Sequence, residues 1–231
     1  MSTIRGARAR ARIEVTAAIK DEARRQLAAE GAAKLSLRAV ARELGMVSSA
    51  LYRYFPSRDD LLTALIIDAY DAVGEAAETA LARAERSGHR AQWAAVCAAV
   101  RKWALAHPHE YALIYGSPVP GYTAPQDTVV PAGRVALALI SVVRDAHRAE
   151  GLALATLPEA VRPEAVRLAA DIAPDLPPAA ALALATVWAQ LFGLVSFEIF
   201  GQFNRVVEDR DAFFAHAADG LAQTVGLLRG E

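Results

Sequence analysis

Residues 35–62, LSLRAVARELGMVSSALYRYFPSRDDLL, predict two short helices joined by a glycine turn, with a third helix starting immediately after them. Ser36 is a natural N-cap, because its hydroxyl can accept a hydrogen bond from a free backbone N–H. Apolar residues then recur with helical spacing and build one buried face: Leu37, Val40, Ala41 and Leu44. Gly45 stands where a left-handed C-cap residue is expected, so it ends the first helix and starts the turn.

The second helix of this hairpin combines an apolar face with hydrogen-bonding side chains. The apolar set is Ala50, Leu51 and Phe55, and the polar set is Ser48, Ser49, Tyr52, Arg53 and Tyr54. Pro56 ends this helix, and Ser57 can cap the next one. Such a hairpin can lay one helix across a DNA backbone and the next in the major groove. A generic helical hairpin needs the same caps, turn and apolar face, so the spacing alone leaves both interpretations open.

The charge is unevenly distributed along the chain. The 231 residues contain 25 Lys and Arg against 26 Asp and Glu, a net charge of −1. Residues 1–62 carry a net charge of +5, and the remainder carries −6. A basic front part beside an acidic remainder favours local contact with phosphates. Residues 1–11, with Arg5, Arg8 and Arg10, are predicted to form a flexible basic arm that adds phosphate contacts, although a merely solvated tail fits equally well.

Residues 10–62 resemble the DNA-binding domain of the TetR family of bacterial transcriptional regulators. The segment LYRYFPSRDDLL after a helix-turn-helix is the most specific part of the match. The other matching residues are Gly31, Ser36, Leu37, Val40, Ala41, Leu44 and Gly45. One residue departs from the pattern, because Val47 stands where the family usually has Ser or Thr at the start of its recognition helix. We therefore expect Ser48 to cap that helix, which would shift its start by one residue.

The resemblance implies a role in DNA binding for nine residues. Those expected to contact phosphates are Ser36, Tyr52, Tyr54 and Arg58. Those expected at base edges are Arg38, Ser48, Ser49 and Ala50, and Arg53 is a candidate for either role. The Arg38 fork could reach a guanine edge, and the Ala50 methyl group could meet a thymine methyl group. Arg42 is interpreted as part of a solvated helix face, an interpretation that is also open for Arg38 and Arg53.

Composition predicts an all-α protein. Hydrophobic residues make up 54% of the chain and aromatic residues 7%, so the core is rich in alanine, leucine and valine. We predict a DNA-binding domain over residues 12–62, with the helix-turn-helix at 36–55, and a helical effector-binding and dimerisation domain over 63–231. Cys97 is the single cysteine, and the N-terminus shows no apolar signal region, so a cytoplasmic location is expected.

Hydrophobic periodicity and breakers place the remaining helices. The predicted helices cover residues 12–30, 59–85, 90–107, 109–115, 128–150, 163–172, 179–204 and 209–229. Residues 116–126, GSPVPGYTAPQ, are predicted to form a loop.

Residues 179–197 contain no charged side chain and are long enough to span a membrane. Alanine dominates the segment, three polar residues interrupt it, and no Lys or Arg cluster flanks it. We therefore predict a helix buried against its own core and against a second copy, with no membrane contact. The predicted dimer interface is a stripe of small residues: Ala185, Ala189, Gly193 and Ser196.

Residues 103–118, WALAHPHEYALIYGSP, resemble a TetR C-terminal subfamily with a Trp-His-Gly signature, here Trp103, His107 and Gly116. Aromatic residues at helical spacing also suggest a largely apolar ligand pocket. The candidate ligand-binding residues are Trp103, His107, Tyr111, Tyr115, His147, Trp188 and Phe192. Phe197 could add a wall and Glu198 a polar contact, although a plain core explains such a stripe as well.

The sequence contains no Gly-rich phosphate loop, HExxH pair or nucleophile elbow, so we expect neither an enzyme nor a cofactor or metal. The expected function is that of a homodimeric repressor, which leaves a palindromic operator when a small-molecule effector binds. Two alternatives stay open at this point: a helical carrier or enzyme, and an architectural DNA-binding protein without sequence preference.

Overall fold

The computed structural model describes the backbone of residues 2–228 and the side chains of residues 9–228. Within this range the protein is helical and contains no strand, which confirms the predicted all-α class. The α-helices are α1 (Ser2–Glu30), α2 (Leu37–Glu43), α3 (Ser48–Leu51), α4 (Arg58–Arg83), α5 (His89–Ala106), α6 (Pro108–Tyr115), α7 (Val129–Ala149), α8 (Arg162–Ile172), α9 (Pro178–Ile199) and α10 (Arg210–Thr224). Short 3₁₀ helices cover Ala32–Lys34, Gln126–Thr128 and Glu159–Val161.

The N-terminal arm is the largest departure from the predicted helix bounds. Helix α1 begins at Ser2, so residues 2–11 continue the helix where a flexible arm was expected. Alanine and arginine are strong helix formers, and a helix once nucleated propagates through such residues at little cost. The side chains of Arg5 and Arg8 lie outside the described residues.

Helix α9 is shorter than predicted because a glycine ends it. Gly201 adopts φ +80°, and the Gln202 N–H donates to the Phe197 carbonyl oxygen at 2.8 Å. This is the hydrogen bond of a Schellman C-cap, which needs a left-handed residue that glycine supplies without strain. The predicted end of α10 at Arg229 falls outside the described residues, and the helix ends at Thr224.

The chain divides into two compact units, and the first is discontinuous in sequence. Unit 1 contains residues 1–70 and 107–129, and unit 2 contains residues 71–106 and 130–231. The core of unit 1 brings together buried residues of α1, α2, α3 and α4, and Leu113, Val119 and Tyr122 pack against it. The predicted domain boundary at residue 62 therefore differs from this division, in which α6 and the loop after it belong with the helix-turn-helix.

Polar contacts tie the segment 107–129 to the rest of unit 1. The Arg24 guanidinium on α1 lies 2.7 Å from Asp68 Oδ2 on α4 and 3.2 Å from Glu110 Oε2 on α6. The hydroxyls of Thr63 and Tyr122 are 2.9 Å apart. Because all these groups are at least partly buried, the contacts are less screened than surface ion pairs.

Helices α5, α7, α8, α9 and α10 all contribute buried residues to the core of unit 2. Trp93 is fully buried and donates from Nε1 to the Ala218 carbonyl oxygen at 3.2 Å. Arg101 on α5 makes a two-pronged ion pair with Glu198 on α9, at 2.7 and 2.8 Å. This hydrogen-bonded pair raises the pKa of Arg101 and gives the acidic residue of the apolar helix α9 a buried partner. Burial raises the pKa of the Cys97 thiol to about 12, so the thiol stays protonated and unreactive.

Among the described residues, α9 alone has the length and apolar composition of a membrane span. One face of α9 is buried and includes Leu184, Leu191 and Val195, whereas Ala185 and Ala189 are exposed. A core helix of a folded protein meets the same two criteria.

Candidate nucleic-acid interface

Helix α2 begins with the predicted serine cap. The Ser36 Oγ accepts a hydrogen bond from the Ala39 N–H at 3.4 Å, and the Ser36 N–H donates to Gln26 Oε1 at 3.5 Å. Leu37, Val40 and Ala41 are buried, so the apolar face predicted for this helix is confirmed. Arg38 in the first turn of α2 is exposed, and no ion pair involves it among the residues whose side chains are described. The N-terminus of α2 therefore presents free backbone donors beside a solvent-exposed guanidinium.

The turn between α2 and α3 has the geometry that the sequence predicts. Gly45 adopts φ +64°, and the Met46 N–H donates to the Ala41 carbonyl oxygen at 2.8 Å. A residue with a Cβ would be strained at this φ, which explains why the turn uses glycine. The turn fixes the direction in which α3 leaves α2.

Helix α3 begins at Ser48, and its N-cap is Val47, which makes no side-chain capping bond. The expectation that Ser48 caps the helix is therefore wrong. Val47 has the extended conformation of an N-cap, with φ −68° and ψ 137°, and its carbonyl oxygen accepts from the Ala50 N–H at 2.9 Å. The helix starts directly after the position that departs from the family pattern, so the recognition helix begins without the usual hydroxyl cap.

Regular α-helix ends at Leu51, and residues 52–54 continue as a turn. The predicted helix to Phe55 is therefore too long. Pro56 is the physical reason, because a proline disfavours the helical conformation in the residue before it and cannot donate to the helix. Leu51 and Phe55 are nevertheless buried as predicted, which anchors both ends of the segment in the core of unit 1.

The opposite side of this segment faces solvent. Ser48, Ser49, Tyr52 and Arg53 are exposed, and Ala50 is half-buried. Tyr54 is also half-buried, and the Arg12 guanidinium lies 5.3 Å from its ring centroid in a cation–π arrangement. Hydroxyl, guanidinium and methyl groups are thus exposed along the α3 segment, and Arg38 is exposed in the first turn of α2. We call the surface formed by Ser36, Arg38, Val47–Ala50, Tyr52 and Arg53 the reading surface.

Arg58 makes contacts within the fold itself. Its Nη2 donates to the carbonyl oxygens of Ala32 at 2.8 Å and Ala33 at 3.3 Å. The start of α4 is thereby attached to the 3₁₀ helix that follows α1, while Ser57 caps α4 as predicted, accepting from the Asp60 N–H at 3.1 Å. The phosphate contact implied for Arg58 stays a prediction. By contrast, Arg42 lies on the solvated face assigned to it, beside Glu43 at 3.4 Å.

Two family models match this chain. The model of bacterial regulatory proteins of the tetR family covers residues 19–65, and the tetracyclin repressor-like C-terminal domain covers residues 93–221. The chain belongs to the TetR family. HTH-type transcriptional regulators of Mycobacterium tuberculosis and Mycobacterium bovis are each 38% identical to it over 216 residues, which is 86% of this chain and 86% of each relative. The crystal structure of SCO4313, described as a regulatory protein, superposes with a TM-score of 0.77 at 33% identity, covering 93% of this chain and 98% of that one.

Membership of the TetR family removes the interpretation of a helical carrier or enzyme that the sequence left open. The family is regulatory and not enzymatic, and its relatives here are named transcriptional regulators. The protein is therefore a DNA-binding transcriptional regulator, and the reading surface is its candidate contact with DNA. The predicted Trp-His-Gly subfamily stays a prediction.

The Trp-His-Gly residues of this TetR protein lie before and after helix α6 along the chain. Trp103 is buried near the end of α5, while His107 is the N-cap and Gly116 the C-cap of α6. A Cβ placed on Gly116 would lie 2.3 Å from the Ala112 carbonyl oxygen, so no larger residue fits at this cap. Gly116 thus fixes where α6 ends, whereas His107 makes no side-chain capping bond at its start.

The predicted ligand-binding residues are distributed over both units of this TetR protein. In unit 1, the ring centroids of Tyr111 and Tyr115 are 5.2 Å apart, and Tyr70 contacts Tyr115 edge-on at 5.9 Å. Burial raises the pKa of the Tyr115 hydroxyl, so it stays protonated at neutral pH. In unit 2, the ring centroids of Trp188 and Phe192 are 4.5 Å apart, with the ring planes tilted by 51°. His107 is exposed in unit 1, and Trp103 and His147 belong to unit 2.

The predicted dimer residues lie on the outer side of α9. Ala185 and Ala189 are exposed, and Gly193 and Ser196 are half-buried. Beside them an apolar groove of about 450 Å³ runs between α9 and α10, lined by residues that include Gly193, Phe197, Phe213 and Leu221. Phe197 is 53% exposed and Phe213 37% exposed, so this TetR protein presents large apolar side chains there.

Two features of unit 1 were missed by sequence reasoning. The contacts of Arg24 with Asp68 and Glu110 gave no local signal, because these partners lie 44 and 86 residues further along the chain. The attachment of residues 107–129 to the rest of unit 1 depends on the same kind of contact between residues that are distant in sequence. The N-cap of α3 without a hydroxyl did have a signal in the sequence, since Val47 was the one departure from the family pattern.

Replacing Arg58 with Met should destabilise the protein. The substitution removes the guanidinium donor from the partly buried carbonyl oxygen of Ala32 and from the exposed one of Ala33, and hydrogen bonds from charged donors contribute about 1.5–3 kcal/mol. Urea denaturation should therefore show a loss of that order. Arg42→Met, at an exposed arginine, is the matched control and should leave the denaturation midpoint unchanged. Equal stability of both variants, combined with weaker DNA binding by Arg58→Met alone, would assign Arg58 to phosphate contact instead.

Proposed function

We propose that this regulator is a homodimeric repressor that binds a palindromic operator and leaves it when a largely apolar small molecule binds. The observation that carries the proposal is the pairing of two surfaces in one chain. The reading surface exposes hydrogen-bonding side chains of α2 and α3, and the outer face of α9 and α10 exposes apolar ones. A protein with these two surfaces acts in the bacterial cytoplasm, where its DNA lies.

On the reading surface we assign separate roles to positioning and to specificity. Ser36 and the N-terminus of α2 hold a phosphate, because the free N–H groups of a helix start attract anions. The phenol groups of Tyr52 and Tyr54 position the protein on the backbone. Base edges are read by Arg38, Ser48, Ser49 and Ala50, with Arg53 at a base or a phosphate. The exposure of Arg38, Ser48 and Ser49 supports these roles, since their donors are available to a ligand.

The dimer follows from the apolar face of α9 and α10. Exposed alanines and a half-buried glycine allow a partner helix to approach closely, and the exposed rings of Phe197 and Phe213 provide apolar area to bury. Exposed apolar patches of this kind mark interaction surfaces in soluble proteins. Two copies joined through this face would present two reading surfaces, as the two half-sites of a palindromic operator require.

Release by a small molecule requires that a change in unit 2, where the ligand binds, alters the position of unit 1, which carries the reading surface. Helix α4 contributes residues to both units, and residues 107–129 leave unit 2 and return to it along the chain. A ligand that binds one conformation of unit 2 more tightly therefore shifts the population of positions that unit 1 occupies, through these connections. The aromatic pair Trp188 and Phe192, together with Trp103 and His147, supplies the apolar walls and a polar group for such a ligand.

Selection of bound duplexes from a random pool tests the DNA-binding part of the proposal. We expect one palindromic site with two half-sites. With Arg38→Ala, binding to that site should weaken by about 1–3 kcal/mol and the choice at one base pair per half-site should relax, because a bidentate contact to guanine is lost. Arg42→Ala is the control and should retain the full preference. An unchanged preference with Arg38→Ala would show that Arg38 does not read a base. Binding by the natural chain without any sequence preference would favour an architectural protein.

A tryptophan on the outer face of α9 tests the dimer. Ala189 is exposed, so Ala189→Trp should fold, yet its indole would keep a partner helix from approaching. Analytical ultracentrifugation should show a monomer for this variant and a dimer for the natural chain. Ala98→Trp, at an exposed alanine of α5, is the matched control and should stay dimeric. A dimeric Ala189→Trp would place the interface elsewhere.

A further inference from the structure

Val47 is the most exposed apolar residue of the helix-turn-helix. Its side chain is 70% exposed, although the core of unit 1 lies close by in sequence at Leu51 and Phe55, which are 0% and 7% exposed. As the N-cap of α3 it occupies the place where a hydroxyl would satisfy a backbone donor, and it makes no such bond. Val47 thus serves neither the core nor the cap.

The position of Val47 relative to its neighbours restricts what it can contact. The Ala50 N–H donates to the Val47 carbonyl oxygen at 2.9 Å, so the two residues are one helical turn apart. Ser48 and Ser49, exposed between them, supply hydroxyl groups. The tip of α3 therefore carries methyl groups at both ends of a short polar stretch.

The chemistry of the major groove supplies one apolar partner for such a side chain. Base edges there present donors, acceptors and the C5-methyl group of thymine, and a valine can neither donate nor accept. The N-terminal residues of a recognition helix are the ones that meet base edges. We propose that Val47 is a specificity residue that contacts the C5-methyl group of a thymine in each half-site. This inference rests on the proposed function, in which α3 enters the major groove.

Thymine and uracil differ by that methyl group alone, so a uracil scan of the selected operator tests the contact. Each thymine is replaced in turn by deoxyuridine, and the affinity of the full-length chain is measured by fluorescence anisotropy. Removing one buried methyl group lowers affinity about four-fold. We expect a loss of that size at the thymine of each half-site that Val47 contacts, which is distinct from the thymine available to the Ala50 methyl group.

The Val47→Ser variant then assigns the methyl contact to this residue. Serine at an N-cap stabilises a helix, so the variant should fold at least as well as the natural chain. It should bind the thymine operator more weakly and should no longer distinguish thymine from uracil at the sensitive position. Val166→Ser, at a 52% exposed valine of α8 in unit 2, is the matched control and should retain the full discrimination.

The outcomes separate this inference from the proposed function. A selected operator that is bound equally well with uracil at every position overturns the role of Val47 and leaves the DNA-binding function intact. A uracil penalty that persists in Val47→Ser also overturns it, because another residue then reads the methyl group. Failure of the natural chain to select any duplex overturns the proposed function, and the inference with it.

Discussion

The ion pairs of Arg24 hold together the unit on which DNA binding depends. One guanidinium on α1 reaches Asp68 on α4 and Glu110 on α6, and the Lys20 ammonium group supports it 2.7 Å from Asp68. These contacts join three helices that the chain order separates. The DNA-binding unit is therefore larger than its helix-turn-helix, because residues 107–129 fold with it. The chain passes between the two units at three points: within α4, before α6 and after the loop that follows α6.

Within that frame, three backbone constraints shape the reading surface. The Ser36 cap fixes where α2 begins, the left-handed Gly45 sets the turn, and Pro56 limits α3 to a single regular turn. Leu51 and Phe55 then anchor the short segment from the buried side. The side chains left outside are small, polar or aromatic, which suits contact with base edges and phosphates. The surface is thus a consequence of local conformational rules combined with a few buried anchors.

The difference between local conformational signals and contacts between distant residues explains which parts of the structure the sequence could predict. Caps, the turn glycine and apolar spacing are local signals, so the bounds of α4–α8 agree with the predictions to within about two residues. Contacts between distant residues have no such signal. Thr63 and Tyr122 are 59 residues apart, and no local sequence pattern near either residue predicts the hydrogen bond between their hydroxyls. The N-terminal arm was assigned from its charge, whereas helix propensity decided its conformation. Arg58 was assigned from the family pattern, yet its guanidinium holds carbonyl oxygens of its own fold.

Native-state hydrogen exchange in the natural chain and in Arg24→Met tests the central claim most directly, that α6 is part of the DNA-binding unit. Amides of one cooperative unit open together and share one opening free energy. The account predicts that the slowest amides of α1 and of α6 have the same opening free energy in the natural chain, and that Arg24→Met lowers both by the same amount. If α6 opened independently, with α1 and α2 still fully protected in Arg24→Met, the segment would belong to a separate unit and the account would be contradicted.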